Sequence, residues 1–248
     1  MTRLRSGPLA AWASAWLSGL AASDEVLRAT MEGDRAHRVQ GLPGTGDSAV
    51  PLSEVLIEWR RRSARTRLVL PVPGDLRGVP GPGGFRAAAV DAGEAVFGSG
   101  LGLVPDLFDH PASSAPPSVT WHAYEVADPP PDPLDVAQAR LELTETIRAC
   151  ATALAAADVA RWTDAMGEAL TDARRAGERP NLPPGFPPVA VHLVAQAERL
   201  HAILDVAALD PVGGAVTRAG MATRANTLRP LATAVRRARL AGYNAGPY

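Results

Sequence analysis

Leu9, Trp12, Trp16, Leu17 and Leu20 recur at helical spacing, which places them on one face of a helix over Pro8 to Leu20. A second short helix is expected from Ser23 to Met31, where Ser23 suits the N-cap and Asp24 and Glu25 suit the positive end. Ala36 to Gln40 reads as a strand and Gly41 to Ser48 as a loop. Pro51 fits the first position of a third helix, whose apolar face is Leu52, Val55, Leu56 and Trp59 and which runs to Ser63.

The pattern then changes. Leu68 to Val72 is a compact apolar run with the look of a buried strand. Pro73 to Gly84 is a loop dense in Gly and Pro, and Phe85 to Phe97 is an alanine-rich helix. Gly98 to Gly102 reads as a turn and Leu101 to Val104 as a short strand, while Ser118 to Val126 alternates more cleanly than any other segment. Strand, helix, strand, helix, strand with short joints predicts two right-handed βαβ crossovers. The fold class is therefore α+β, helix-majority: a small mixed, mainly parallel sheet with flanking helices, the Ser118 strand at its edge, then a C-terminal helical bundle.

Asp128 to Pro133 (DPPPDP) suits neither a strand ladder nor a helix and should be stiff and extended. It divides the chain into an α/β module over 1–127, a linker over 128–133 and a bundle over 134–248. Leu143, Ile147, Cys150 and Leu154 mark the seam of the first bundle helix. Ala160 to Ala176 reads as a partly exposed helix, and Pro180 to Pro188 as a turn. Leu193, Ala197, Leu200 and Leu204 line the next helix. The final helix runs from Val216 to Gly242, with Met221, Ala225, Leu228, Ala232 and Val235 inward and a kink at Pro230.

Composition narrows the chemistry. All 25 basic residues are Arg, so a Schiff-base lysine, a P-loop lysine and a lysine general base are excluded. A net charge of −1 gives the whole chain no general attraction for nucleic acid or anionic lipid. Cys150 is the single cysteine, which excludes an intrachain disulfide and a multi-cysteine metal site and favours a reducing cytoplasm. Arg3 and Arg5 before the apolar Pro8 to Leu20 imitate a secretion signal, but Ser14 and Ser18 interrupt the run. The helix is read as packed inward by its Trp face, and no segment reaches the roughly 18 apolar residues of a membrane span.

Three groupings carry candidate chemistry. The loop Pro73 to Gly84 between a strand and a helix could cradle a phosphate- or carboxylate-bearing ligand, using Arg77, Gly83, Gly84 and Arg86. It ends without the Gly-Lys-Ser/Thr of a nucleotide loop, and a plain surface loop is the simpler reading. Asp106, Asp109, His110 and His122 have metal-ligand types but match no recognised spacing, and neither metal nor cofactor is expected. From Pro211 onward there are six arginines and no acid, and Arg218, Arg229 and Arg236 fall along one helical stripe. That stripe suits nucleic-acid phosphates or a partner protein, but pairing with the carboxylates of earlier helices is the simpler reading. Glu198, His201 and Asp205 share one helix face. Neither a Gly-x-Ser-x-Gly elbow nor a His-Glu-x-x-His motif occurs, so no catalytic residue is assigned.

The segments WLSG at Trp16, LVLPVPGD at Leu68, FRAAAVDAGEAV at Phe85 and RPLATAVRRARLAGYNAG at Arg229 together resemble a family of uncharacterised proteins of high-GC Gram-positive bacteria. The resemblance spans nearly the whole chain, implies a cytoplasmic bacterial protein and transfers no site residues. The sequence reads as a non-catalytic interaction or regulatory protein with an unidentified protein partner. The alternatives are an enzyme or sensor of a small anion at loop 73–86, and nucleic-acid binding by the last helix.

Overall fold

The N-terminal helical spacing folds nearly as read, into α1 (Ser6–Leu17), α2 (Ser23–Met31), β1 (Ala36–Gln40) and α3 (Leu52–Arg61). These elements come from a computed structural model that describes residues 3–81, 83–108, 115–127, 134–156, 180–209 and 218–246. Helix α2 starts one residue earlier than its capping pattern suggests. Ala22 is the N-cap, and the Glu25 carboxylate accepts its backbone N–H at 2.7 Å, half of a capping box. Pro51 likewise stands just before α3, at the end of the two-residue strand β2 (Val50–Pro51).

Helix α4 (Gly84–Ala92) is shorter than its alanine run suggests, because Gly93 takes φ +72 and terminates it in the left-handed conformation. The released residues form a strand absent from the sequence reading, β4 (Ala95–Gly98). It follows β3 (Arg67–Val69) and leads through a tight turn into β5 (Leu101–Phe108). Ser99 at φ +39 and Gly100 at φ +82 give that two-residue turn the positive angles a right-twisted hairpin needs.

The sheet is mixed, not mainly parallel. Its order is β2-β1-β6-β5-β4-β3, where β6 is Ser118–Glu125, and the β1–β6 pair alone is parallel. The crossovers fail because of the unread β4, and the edge position of the Ser118 strand fails because β1 pairs with it. With it in place, β3 and β4 are antiparallel neighbours and β4–β5 is a hairpin, so the expected pair of βαβ crossovers does not form. The Ser118 strand is interior, flanked by β1 and β5, and it pairs with β5 over all eight residues.

Period-two alternation assigns Ala95, Phe97 and Val104 to the face that carries α4, where they cluster with Val69, Val79, Phe85 and Ala89. Phe85 lies over Gly102, and its ring meets Tyr124 edge-on at 5.8 Å between centroids. Trp59 and Trp121 are among the largest side chains with no exposed surface.

The chain divides into two compact units. One holds Thr2–Pro133, Asn181–Phe186 and Gly246–Tyr248; the other holds Leu134–Pro180 and Pro187–Ala245. In the first, Asn181 ties down α1 and α2: its Oδ1 accepts from the Trp12 indole at 2.8 Å, and its Nδ2 donates to the Ala29 carbonyl at 2.8 Å. In the second, α5 (Val136–Ala156) and α6 (Pro188–Leu209) both pack on α7 (Arg218–Tyr243). Their core comprises Leu143 and Cys150, Leu193 and Ala197, and Leu231, Ala234, Val235, Ala238 and Ala241, with Ile147, Leu154, Leu200, Leu204 and Leu228 packed against it. The inward stripe of α7 is therefore rotated from the expected one, since Ala225 and Ala232 face solvent. Val194 fills the space beside Gly242 where a Cβ would stand. The expected linker 128–133, the Ala160 to Ala176 helix and the side chain of Met221 lie outside the described residues. Among the described residues no helix is long and apolar enough to cross a membrane.

Candidate functional site

Loop 72–84 closes on itself. Val72 and Asp75 exchange backbone hydrogen bonds at 3.2 and 2.9 Å across Pro73-Gly74, with Gly74 at φ +87, the arrangement of a type II turn. A second turn follows, in which Val79 N–H donates to the Leu76 carbonyl at 3.2 Å and Gly78 takes φ +73. Asp75 accepts from Arg77 twice, at 2.9 and 2.8 Å, so the Arg77 guanidinium is spent within the loop. Arg86 is folded back, with Nη2 2.8 Å from the position a Cβ would occupy on Gly81. Gly83 at φ +79 is the N-cap of α4, and Gly84 rests against the Tyr124 ring. The four proposed ligand residues thus share one segment; Arg77 is paired with Asp75, whereas Arg86 forms no ion pair among the described residues.

A cluster that the sequence reading missed is more concentrated. Arg5 donates from Nε and Nη2 to the two Asp34 oxygens at 2.8 and 2.7 Å, a bidentate pair with side chains only 4% and 2% exposed. His37 Nε2 lies 3.1 Å from Asp34 Oδ2, and the Trp121 indole N–H donates to His37 Nδ1 at 3.1 Å. An indole nitrogen is a donor only, so Nδ1 must accept and Nε2 must carry the proton it gives to Asp34. Arg3 adds a looser contact to Asp34 at 3.5 Å and donates to the Thr30 carbonyl at 2.7 Å. Beside the cluster, the Glu94 carboxylate accepts the backbone N–H groups of Arg5 and Ser6 at 2.9 and 2.6 Å. It therefore places a negative charge on the N-terminus of α1 from across the fold.

The electrostatics match this geometry. Burial pushes the Asp34 carboxyl up, but hydrogen bonds from Arg5 and His37 and the arginine charges outweigh it and hold the group below the usual carboxylate range. Burial lowers the His37 ring below the ordinary imidazole value, and Asp34 restores only part of the loss. His201 is lowered too, first by burial and then by the Arg239 charge. A histidine whose folded-state pKa is depressed binds its proton more readily when unfolded, so its contribution is intact above the unfolded value of about 6.5 and is lost as pH falls below it. Urea midpoints should hold steady above about pH 7.5 and decline from there to pH 5.5, before Asp34 begins to titrate below about pH 4. A midpoint independent of pH across that window would show that neither ring resists protonation.

The remaining candidates separate. Asp106 and His122 meet across β5 and β6 at 3.6 Å on an exposed face, while Asp109 and His110 lie outside the described residues. Among the described residues no three metal-binding side chains converge. Glu198 is taken by Arg239 at 3.0 Å, and His201 reaches Asp205 only at 3.9 Å. Arg237 lies 3.3 Å from Glu142, although its buried Nε makes no hydrogen bond, so two arginines of α7 are ion-paired within the bundle. Arg229 is exposed, Arg236 is half-buried, and the side chain of Arg218 lies outside the described residues. Cys150 is a free, buried thiol whose pKa burial raises. A thiol reagent should therefore label it slowly in native buffer and quickly in denaturant. Rapid native labelling would contradict this packing of α5.

The sequence held one signal for the buried cluster. His37 and Val39 occupy the inward positions of β1, and an inward histidine three residues after an aspartate calls for a partner. Arg5 and Trp121 carry no such signal, being 29 residues before Asp34 and 84 residues after His37.

Two family models cover the chain: Rv1486c-like protein, N-terminal domain, over residues 6–136, and Rv1486c-like protein, C-terminal domain, over residues 137–240. The chain belongs to this Rv1486c-like family. It is 29% identical over 279 residues to "Uncharacterized protein Rv1486c" of Mycobacterium tuberculosis, covering 96% of this chain and 95% of that protein. It is also 29% identical over 287 residues to "Uncharacterized protein ML1804" of Mycobacterium leprae, with the same coverage. The relatives are thus uncharacterised and assign no function, as the resemblance of the four segments implied. No solved structure matches.

Proposed function

We propose that this member of the Rv1486c-like family is a non-catalytic cytoplasmic protein that acts by binding a partner protein. The observation that carries this reading is how the buried ionic cluster is spent. His37 has both ring nitrogens bonded inside the fold, and Arg5 holds Asp34 as a carboxylate, so neither group can pass a proton to a substrate. The surface supplies the positive half of the reading. Strand β5 is twice as long as β4, and its pairing with β4 ends at Leu103. Among the described residues, Val104 to Phe108 pair with β6 alone. Leu107 and Phe108 are 38% and 67% exposed on that part of the strand. An extended segment of a partner laid along this part of β5 would cover both side chains.

The test is recovery of a partner from extracts of the source cells on immobilised full-length protein. A Leu107→Asp/Phe108→Asp double variant is run beside it, with an unchanged thermal midpoint as the folding control. A protein retained by the wild type and lost from the variant upholds the reading. Equal recovery on both, or none on either, overturns docking at β5.

A further inference from the structure

Two helices of the N-terminal unit end beside one small cavity, and they end in the same way. At α1, Gly19 N–H donates to the Trp16 carbonyl at 3.0 Å and Leu20 N–H to the Ala15 carbonyl at 2.8 Å. At α3, Ser63 N–H donates to the Arg60 carbonyl at 3.1 Å and Ala64 N–H to the Trp59 carbonyl at 2.9 Å. Both are Schellman motifs, which require a left-handed residue just past the helix. Gly19 fills that seat in α1 at φ +78. In α3 the seat is held by Ser63 at φ +50, a conformation that residues with a Cβ adopt only under strain.

The cavity between these ends has a volume of about 270 Å³. Its polar lining is three hydroxyls, Ser14, Ser18 and Ser63, and two guanidinium groups, Arg60 and Arg65, with no carboxylate among the lining residues. Arg60 is set in place by stacking over the Trp16 ring at 4.2 Å. It has no ion-pair partner among the described residues. Of the two acids on its own helix, Glu58 is occupied by Arg61 and Arg62, and Glu54 lies in the first turn, at the other end. A bland explanation would have these arginines neutralise the negative ends of α1 and α3. The Schellman bonds already satisfy the terminal carbonyls of Ala15, Trp16, Trp59 and Arg60, so that need is largely met.

We infer that this cavity is a binding site for a small phosphate-bearing molecule, held by Arg60 and Arg65 and by the Ser14, Ser18 and Ser63 hydroxyls. Two planar cations and several hydroxyl donors match the many acceptors of a phosphoryl group, and the volume lies at the small end of ligand pockets, near about 300 Å³. Ser63 then occupies a position that the backbone would rather give to glycine because its hydroxyl faces the ligand. Strained residues of this kind gather at ligand sites.

Pyrophosphate is a suitable probe, titrated into the full-length protein at constant ionic strength and followed by calorimetry and by thermal midpoint. The expected result is saturable binding that raises the midpoint. Arg60→Gln should weaken it about tenfold or more, the loss of one hydrogen-bonded charge. Ser63→Gly separates function from folding: it should weaken binding while leaving the ligand-free midpoint unchanged or higher, because glycine relaxes the positive φ. Arg77→Gln, in the loop above, should bind as the wild type does. Absence of saturation, unchanged binding in both Arg60→Gln and Ser63→Gly, or loss of binding in Arg77→Gln would each overturn the assignment.

Discussion

Asp34→Ala is expected to destabilise the protein by about 3–5 kcal/mol, the usual cost of removing one member of a buried ion pair. The magnitude follows from what is left behind. Arg5, 4% exposed, loses both of its strong hydrogen bonds and cannot reach water, and His37, whose side chain is fully buried, loses the acceptor for its Nε2 proton. Arg3, at 35% exposure, can rehydrate and contributes little to the loss. Against a typical total stability of about 5–15 kcal/mol that is a large share of the whole, and the denaturation midpoint should fall accordingly. Equilibrium urea denaturation measures it directly. A loss below about 1 kcal/mol would mean that the cluster is wet and that its charges are solvated as surface pairs are.

The second large effect is steric. A Cβ on Gly102 would stand 2.5 and 2.9 Å from two ring carbons of Phe85. That ring is 2% exposed and braced edge-on by Tyr124, so it has no free direction in which to yield. Gly102→Ala should therefore cost about 1–3 kcal/mol, in the range of overpacked cores. Adding Phe85→Leu to Gly102→Ala should return part of the loss, because the smaller side chain vacates the contested space. A double-mutant cycle reads this as a coupling between the two sites. Additive losses would show that Gly102 is required for some reason other than the aromatic ring above it.

The helices of this protein were legible because burial on one side writes a three- and four-residue spacing into the sequence. Leu52, Val55, Leu56 and Trp59 located α3, and Leu143 and Cys150 located α5. The sheet was harder, since a four-residue strand such as β4, buried on both faces, carries no alternation and runs on directly from an alanine helix. Gly93 was the available boundary, and reading through it merged β4 into α4 and made the sheet look parallel. The rotated stripe of α7 has a similar origin, because alanine fits equally well inside or outside and Ala225 and Ala232 could not orient the helix. The Gly- and Pro-rich loop attracted notice by composition, whereas its turns need those residues for backbone angles at Gly74 and Gly78. The cluster around Asp34 and the cavity between α1 and α3 join residues far apart in sequence, and only the folded chain brings them together.

The buried Arg5–Asp34–His37–Trp121 cluster is a structural lock in which both His37 ring nitrogens are bonded inside the fold. Long-range nitrogen–proton NMR correlations on the His37 ring test it most directly, followed across a pH titration of the folded protein. The expected result is a neutral ring protonated at Nε2, with Nδ1 accepting from the Trp121 indole, that does not titrate until pH is below the ordinary imidazole value of about 6.5. A ring protonated at Nδ1, or one that titrates near its ordinary value while the fold stays intact, would contradict it and return His37 to the list of groups available for catalysis.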